Sequence, residues 1–142
     1  MRVYDVLKHK GHDVVVASPD ATVAELLQLL VEHRIGSVVV VDDGRPVGLV
    51  AERDIVSALA AADDDVRTHL VREVMESIAH VAALDDDTAD LAATMTEFRI
   101  RHLPVVDQDG KLLAIVSIGD VVKARLDTLT DERDHLINYV QQ

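Results

Sequence analysis

The sequence predicts an α/β fold (α+β by some schemes) built from two similar halves. Three observations carry that expectation. Short β-branched runs alternate with stretches whose apolar residues fall at helical spacing. The order of these elements recurs after an acidic break at Asp63-Asp64-Asp65. Individual residues match between the halves at an offset of 65, as between Arg34 and Arg99.

Along the chain, residues 2–9 form a short amphipathic helix stopped by Gly11. Asp13 to Ser18 is a β-branched strand ended by Pro19-Asp20. Thr22 offers an N-cap with Glu25 at capping-box distance, and Leu26, Leu29, Leu30 and His33 carry that helix to about Arg34. The run Ser37 to Val41 suits a strand buried on both faces. Asp42-Asp43-Gly44-Arg45 is a turn with glycine for positive φ, Pro46 to Val50 returns as a strand, and Glu52 to Ala62 is a helix. The second half repeats this order: helix 66–75, strand 80–84, helix 88–98, strand 102–106, turn 107–110, strand 112–117, and a final helix from about Ile118.

The repeat is specific. Glu32-His33-Arg34-Ile35 matches Glu97-Phe98-Arg99-Ile100, and Ala24, Leu26, Val40, Val41 and Asp42 match Ala89, Leu91, Val105, Val106 and Asp107. After one inserted residue in the second turn, Gly44, Val50, Asp54 and Val56 meet Gly110, Val116, Asp120 and Val122. Two copies at so long a period do not make a solenoid. Each copy reads strand–helix–strand–turn–strand–helix, with its first two strands parallel through a right-handed crossover and the third added by a hairpin. One copy leaves an apolar sheet face uncovered, so the copies should pack as a pseudo-twofold pair with equivalent clefts. The expected bounds are 1–62 for the first repeat, 63–66 for a linker, 67–127 for the second repeat and 128–142 for a helical extension.

Composition excludes several functions. With 14 Lys and Arg against 26 Asp and Glu, the formal charge of −12 opposes nucleic acid and anionic membranes. Tyr4, Phe98 and Tyr139 are the whole aromatic content, too few for base-stacking platforms. The absence of cysteine removes disulfides, thiolate metal sites and a cysteine nucleophile. No apolar run spans a bilayer and no signal peptide opens the chain, so a cytoplasmic location is expected. The seven histidines lack ligand spacing, and no nucleophile elbow, P-loop or Rossmann glycine pattern occurs, so neither a metal, a catalytic cofactor nor an enzyme is expected.

The chemistry concentrates at Ala114 to Val122, where a strand (Ile115 within it) meets a helix. Ser117 and Asp120, three residues apart, share one face of the first helical turn, beside backbone N–H groups that favour anions. A carboxylate suits two adjacent hydroxyl donors, but Ser-x-x-Asp is also a capping box. The residues alone leave both readings open.

The paired Arg-Ile segments followed by Val-Val-Asp, and the repeated Val-x-x-x-Asp ends, resemble a tandem cystathionine-β-synthase (CBS) domain pair, or Bateman module, over nearly the whole chain. Val6 to Gly11 and Ile118 to Arg125 look like stand-alone bacterial two-CBS proteins with no catalytic or DNA-binding domain attached. The resemblance implies a regulatory sensor whose ligand is an adenine nucleotide, AMP first, with ATP, NADH or S-adenosylmethionine as further candidates. By that resemblance Asp120 takes the ribose diol, Ser117 faces ribose or phosphate, and Arg101 and His102 reach the phosphates. Asp13, Val14, Val15, Ile35, Gly36 and Ser37 are expected to complete this main cleft, with Val15 and Ile35 around adenine. A second cleft is expected from Leu49, Ala51, Arg53, Asp54, Ser77, Ile78, Ala79, Ile100 and Arg101. Ala51 stands there in place of the hydroxyl, so that cleft should be weaker, differently selective or unfilled.

Past Val121 and Val122, the final helix keeps an apolar stripe through Leu126, Leu129, Leu136, Ile137, Tyr139 and Val140, which a homodimer would bury. An unidentified regulated protein is a further expected partner. The alternative reading is a protein-interaction module with degenerate clefts.

Overall fold

The computed structural model describes residues 1–141. The chain divides into two compact units that are not continuous in sequence. One comprises 1–12, 81–107 and 113–142; the other comprises 13–80 and 108–112.

In the unit built on 13–80, β1 (Val16–Ala17) leads into α1 (Val23–His33), whose N-cap Thr22 accepts a hydrogen bond from the Glu25 N–H through its hydroxyl at 3.2 Å. β2 (Ser37–Asp42) lies parallel to β1, and β3 (Arg45–Ala51) returns antiparallel to β2. Val38, Val39 and Val40 are all buried, as an uninterrupted β-branched run requires. Asp43 and Gly44 both adopt positive φ at the tip, the geometry of a tight hairpin turn. α2 (Glu52–Ala61) follows directly. A 3-10 turn at Val66–Thr68, α3 (Val71–Val74) and β4 (Glu76–Ser77) complete the unit, β4 pairing antiparallel with β3. The sheet order is β1-β2-β3-β4. Its core gathers Leu26, Leu30, Val38, Val40, Val50, Ile55 and Val71.

In the other unit, α4 (residues Val3–Lys10) packs with α5 (Thr88–Glu97), β5 (His102–Val106), β6 (Leu112–Ser117) and α6 (Ile118–Gln141). The buried core is Val3, Leu7, Leu91, Met95, Leu103, Val105, Val116 and Val121, with Ala82 and Ala114. Among the described residues, Thr88 is the one fully buried polar residue, and its hydroxyl donates to the Met1 carbonyl at 3.0 Å.

The copies share their hydrogen bonding. Val3, Tyr4 and Thr88 N–H groups donate to the carbonyls of Asp86, Leu84 and Met1 at 2.9, 3.0 and 2.9 Å. Val71, Arg72 and Val23 donate to Ala21, Pro19 and His69 at 2.8, 3.1 and 2.8 Å. The short helix ahead of each repeat therefore docks on the start of the other repeat's first long helix. That exchange is why the N-terminal twelve residues join the unit of the second repeat.

Four local expectations need correction. The strand drawn over 13–18 shrinks to Val16–Ala17. The helix drawn over 66–75 breaks into a 3-10 turn and one short helix, separated at His69-Leu70 where the backbone is extended. The strand drawn over 80–84 is a single parallel bridge, Ala82 to Val105. An unforeseen strand, β4, lies at Glu76–Ser77 instead. Gly48 permits it: a Cβ there would come within 2.5 Å of the Met75 sulfur and 3.0 Å of the Glu76 carbonyl. The matching residue of the second copy is Ala114, where the sheet has two strands.

Candidate functional site

Both repeats place an aspartate in the first turn of the helix that follows their last strand. In the second repeat, Ser117 closes β6 and Asp120 lies in the first turn of α6. The Asp120 carboxylate accepts from the Ser117 N–H at 2.9 Å, and the Ser117 hydroxyl accepts from the Asp120 N–H at 3.1 Å. This is a complete capping box. The Ile118 N–H donates to the Arg101 carbonyl at 2.8 Å, tying the entry to β5 to the start of α6. Arg101, His102, Ile115, Ser117 and Asp120 are thus carried by one unit.

Lys10, at the end of α4, is the residue that sequence reasoning missed. Its Nζ lies 2.5 Å from Asp120 Oδ2 and 2.8 Å from the Ile115 carbonyl oxygen. Only its place as the last cation before Gly11 hinted at such a role; the partners are 110 positions apart. Burial pushes the Asp120 carboxyl up, but the Lys10 hydrogen bond, the Ser117 N–H and the Ser117 hydroxyl together bring it below the ordinary aspartate value. His102 is shifted down, first by burial and then by the charges of Lys10 and Arg101, against the opposing pull of Asp120. Lys10 on Asp120, and Arg101 beside His102, therefore gather positive charge near one carboxylate in a chain of net charge −12. Such an arrangement can take hydroxyl donors at the carboxylate and an anion at the cations.

The first repeat keeps the frame and changes the chemistry. The Asp54 carboxylate accepts from the Ala51 N–H at 2.8 Å, and the Glu52 N–H donates to the Gly36 carbonyl at 3.0 Å. Ala51 has no hydroxyl to return the cap. The Glu52 carboxylate lies beside Gly36, 3.3 Å from where a Cβ would stand. Leu49 and Ala51 belong to β3, Arg53 and Asp54 to α2, and Ser77 to β4, where it pairs with Gly48; Ile78 and Ala79 follow outside any helix or strand. Asp13, Val14 and Val15 precede β1, and Ile35 and Gly36 lead into β2 at Ser37. All of these lie in the unit built on 13–80, whereas Ile100 and Arg101 lie in the other.

Both approach loops share an unusual backbone. Arg34 and Arg99 adopt left-handed conformations, with φ of 52° and 54°. The residues after them close the helix ends, Ile35 N–H to Leu30 O at 3.1 Å and Ile100 N–H to Met95 O at 2.9 Å. Left-handed non-glycine residues are uncommon, so their recurrence shows that the same loop shape is held in both copies. Among the described residues, no His, Asp and Glu cluster has the grouping of a metal site, and no helix is long and apolar enough to cross a membrane.

Known proteins share this architecture and sequence. The CBS domain model matches residues 3–61 and again 71–127. A CBS-domain containing protein from Agrobacterium tumefaciens is 40% identical, with a TM-score of 0.80 over 88% of this chain and 99% of that one. A CBS domain protein from Pyrobaculum aerophilum, complexed with AMP, is 28% identical at a TM-score of 0.74, covering 84% of this chain and 89% of its own. The CBS domain pair of protein MJ0100, in complex with 5′-methylthioadenosine and S-adenosyl-L-methionine, is 25% identical at a TM-score of 0.76, over 90% and 98%. Two matched domains, a shared left-handed loop and a shared aspartate at each helix start make this chain a member of the CBS-domain family, carrying a CBS domain pair.

Proposed function

We propose that the chain is a regulatory, non-catalytic module that binds an adenine nucleotide, with Asp120 holding the ribose diol. The observation that carries this reading is the Asp120 carboxylate set among Lys10, Arg101 and His102 at the start of α6. The carboxylate offers acceptors for two hydroxyls, and the cations suit a phosphate. The AMP complex of the Pyrobaculum aerophilum protein and the methylthioadenosine and S-adenosylmethionine complex of MJ0100 support an adenosine ligand. Ile115, on the strand that ends at Ser117, belongs to the same proposed site. The set on Ala51 and Asp54 forms a second, weaker one. Calorimetric titration with AMP, ATP, NADH and S-adenosylmethionine tests the reading. Binding of at least one at micromolar concentration, lost in Asp120→Ala, is the expected result; no binding below millimolar to any of them sinks it.

The module also self-associates through α6 in this reading. Val122, Leu126, Leu129, Leu136 and Val140 fall at alternating three- and four-residue steps with Arg133 completing the series, a heptad seam. Leu126, Leu129, Leu136 and Val140 are 59, 51, 66 and 81% exposed. The opposite face, through Val121 and Ala124, is buried in its own unit. Sedimentation analysis should show a dimer that Leu129→Lys dissociates; an unchanged mass for the variant would remove α6 from the interface.

A further inference from the structure

We infer that Lys10 selects the ligand: it makes the Asp120 site specific for adenosine carrying a 5′-phosphate, against adenosine compounds whose 5′ group is neutral or cationic. The inference rests on the reading of Asp120 as the ribose carboxylate and adds the discrimination that reading lacks.

An ammonium group has three N–H donors. Lys10 directs two of them at groups of its own unit, Asp120 Oδ2 at 2.5 Å and the Ile115 carbonyl at 2.8 Å. Those two contacts fix the side chain over the junction of β6 and α6 and leave the third donor for a ligand. On Asp120, the Lys10 and Ser117 bonds both fall on Oδ2. A carboxylate has about four acceptor positions, so a diol arriving through Oδ1 does not have to displace the lysine.

The charge balance around the carboxylate points the same way. Lys10 and Arg101 each carry a positive charge and Asp120 a negative one, while burial and those cations hold His102 toward its neutral form. The cations that face His102 outnumber the one carboxylate, an excess of positive charge that stands before any ligand arrives. A 5′-phosphate next to the ribose satisfies it, and charge-assisted bonds of this kind are the strong ones. A thioether leaves the ammonium donor unmatched, and a sulfonium adds a like charge beside it. The first repeat has no lysine on Asp54, and its neighbouring Glu52 is acidic, so the same discrimination is not built there.

Titration of wild type, Lys10→Met, Lys10→Arg and Asp120→Ala with AMP, adenosine and S-adenosylmethionine tests this. Wild type should prefer AMP to adenosine at least tenfold. Lys10→Met should lower that ratio at least tenfold, Lys10→Arg should restore most of it, and Asp120→Ala should weaken AMP and adenosine alike. Circular dichroism of each variant separates a folding defect from a change in selectivity. An AMP-to-adenosine ratio that is the same in folded Lys10→Met as in wild type overturns the role of Lys10 while leaving the nucleotide reading standing. No binding of any of the three by wild type overturns both.

Discussion

The two helix starts, one at Ala51 and one at Ser117, differ by little in backbone and much in charge. Each aspartate bonds the N–H three residues earlier, at 2.8 Å for Asp54 and 2.9 Å for Asp120. Each approach loop turns through a left-handed arginine, Arg34 or Arg99. The second copy adds a serine hydroxyl, a lysine ammonium, and Arg101-His102 where the first has Gly36-Ser37. The frame that holds a carboxylate at a helix N-terminus is therefore separable from the charges that decide what meets it. The two copies agree in the first and differ in the second.

Core substitutions test whether the two frames are equally firm, and they carry the largest expected effect. Leu26 and Leu91 occupy matching positions and are both buried. Each Leu→Ala change should cost about 2–5 kcal/mol in chemical denaturation, because a cavity replaces the side chain. A loss under 1 kcal/mol at either site would show that its unit is loosely packed.

Binding sharpens the contrast next. Two charge-assisted hydrogen bonds to a diol are worth about 3 kcal/mol together at the low end, roughly a hundredfold in affinity. Asp120→Ala should remove at least that much by calorimetry, and Asp54→Ala much less. Equal losses at the two sites would make the clefts equivalent and end the distinction drawn from Ala51.

The cap itself can be exchanged. Ser117→Ala should cost about 0.5–2 kcal/mol of stability, since the Asp120 N–H loses its acceptor, and Ala51→Ser should gain up to a similar amount. Thermal melts of the pair read this directly. A stable Ser117→Ala protein whose nucleotide affinity falls would show that the hydroxyl serves ligand as well as cap.

The smallest effect is in pH. Burial, with Lys10 and Arg101, holds His102 below its ordinary value of 6.5. The unfolded chain then binds the proton more readily than the folded one, so this contribution is present above about pH 6.5 and is lost as pH falls through the lower folded value. His102→Gln should flatten the acid side of the stability curve between pH 7 and 5. An unchanged slope would mean that His102 is already solvated in the folded protein.

Much of this was legible because it is local. Periodicity marked the long helices, three adjacent valines marked β2, and Gly44 marked the hairpin. Ser117 and Asp120 stand one helical turn apart, so their capping contact needed no knowledge of the rest of the chain. The short strands failed for the opposite reason: Val16–Ala17 and Glu76–Ser77 exist as strands only because a neighbour pairs with them. Residues 66–75 read as one helix by composition, yet their backbone bonds go to Ala21 and Pro19, and that docking breaks the helix.

The sequence by itself determined the duplication, the alternation of elements and the carboxylate at each helix start, because each follows from spacing within a turn or from residue identity between copies. Only the tertiary structure decided that the leading helices are exchanged between the repeats and that Lys10 reaches Asp120. Those contacts join positions far apart along the chain. Nothing in the local pattern around either partner encodes them, and they form only when the core of a unit brings its distant segments together.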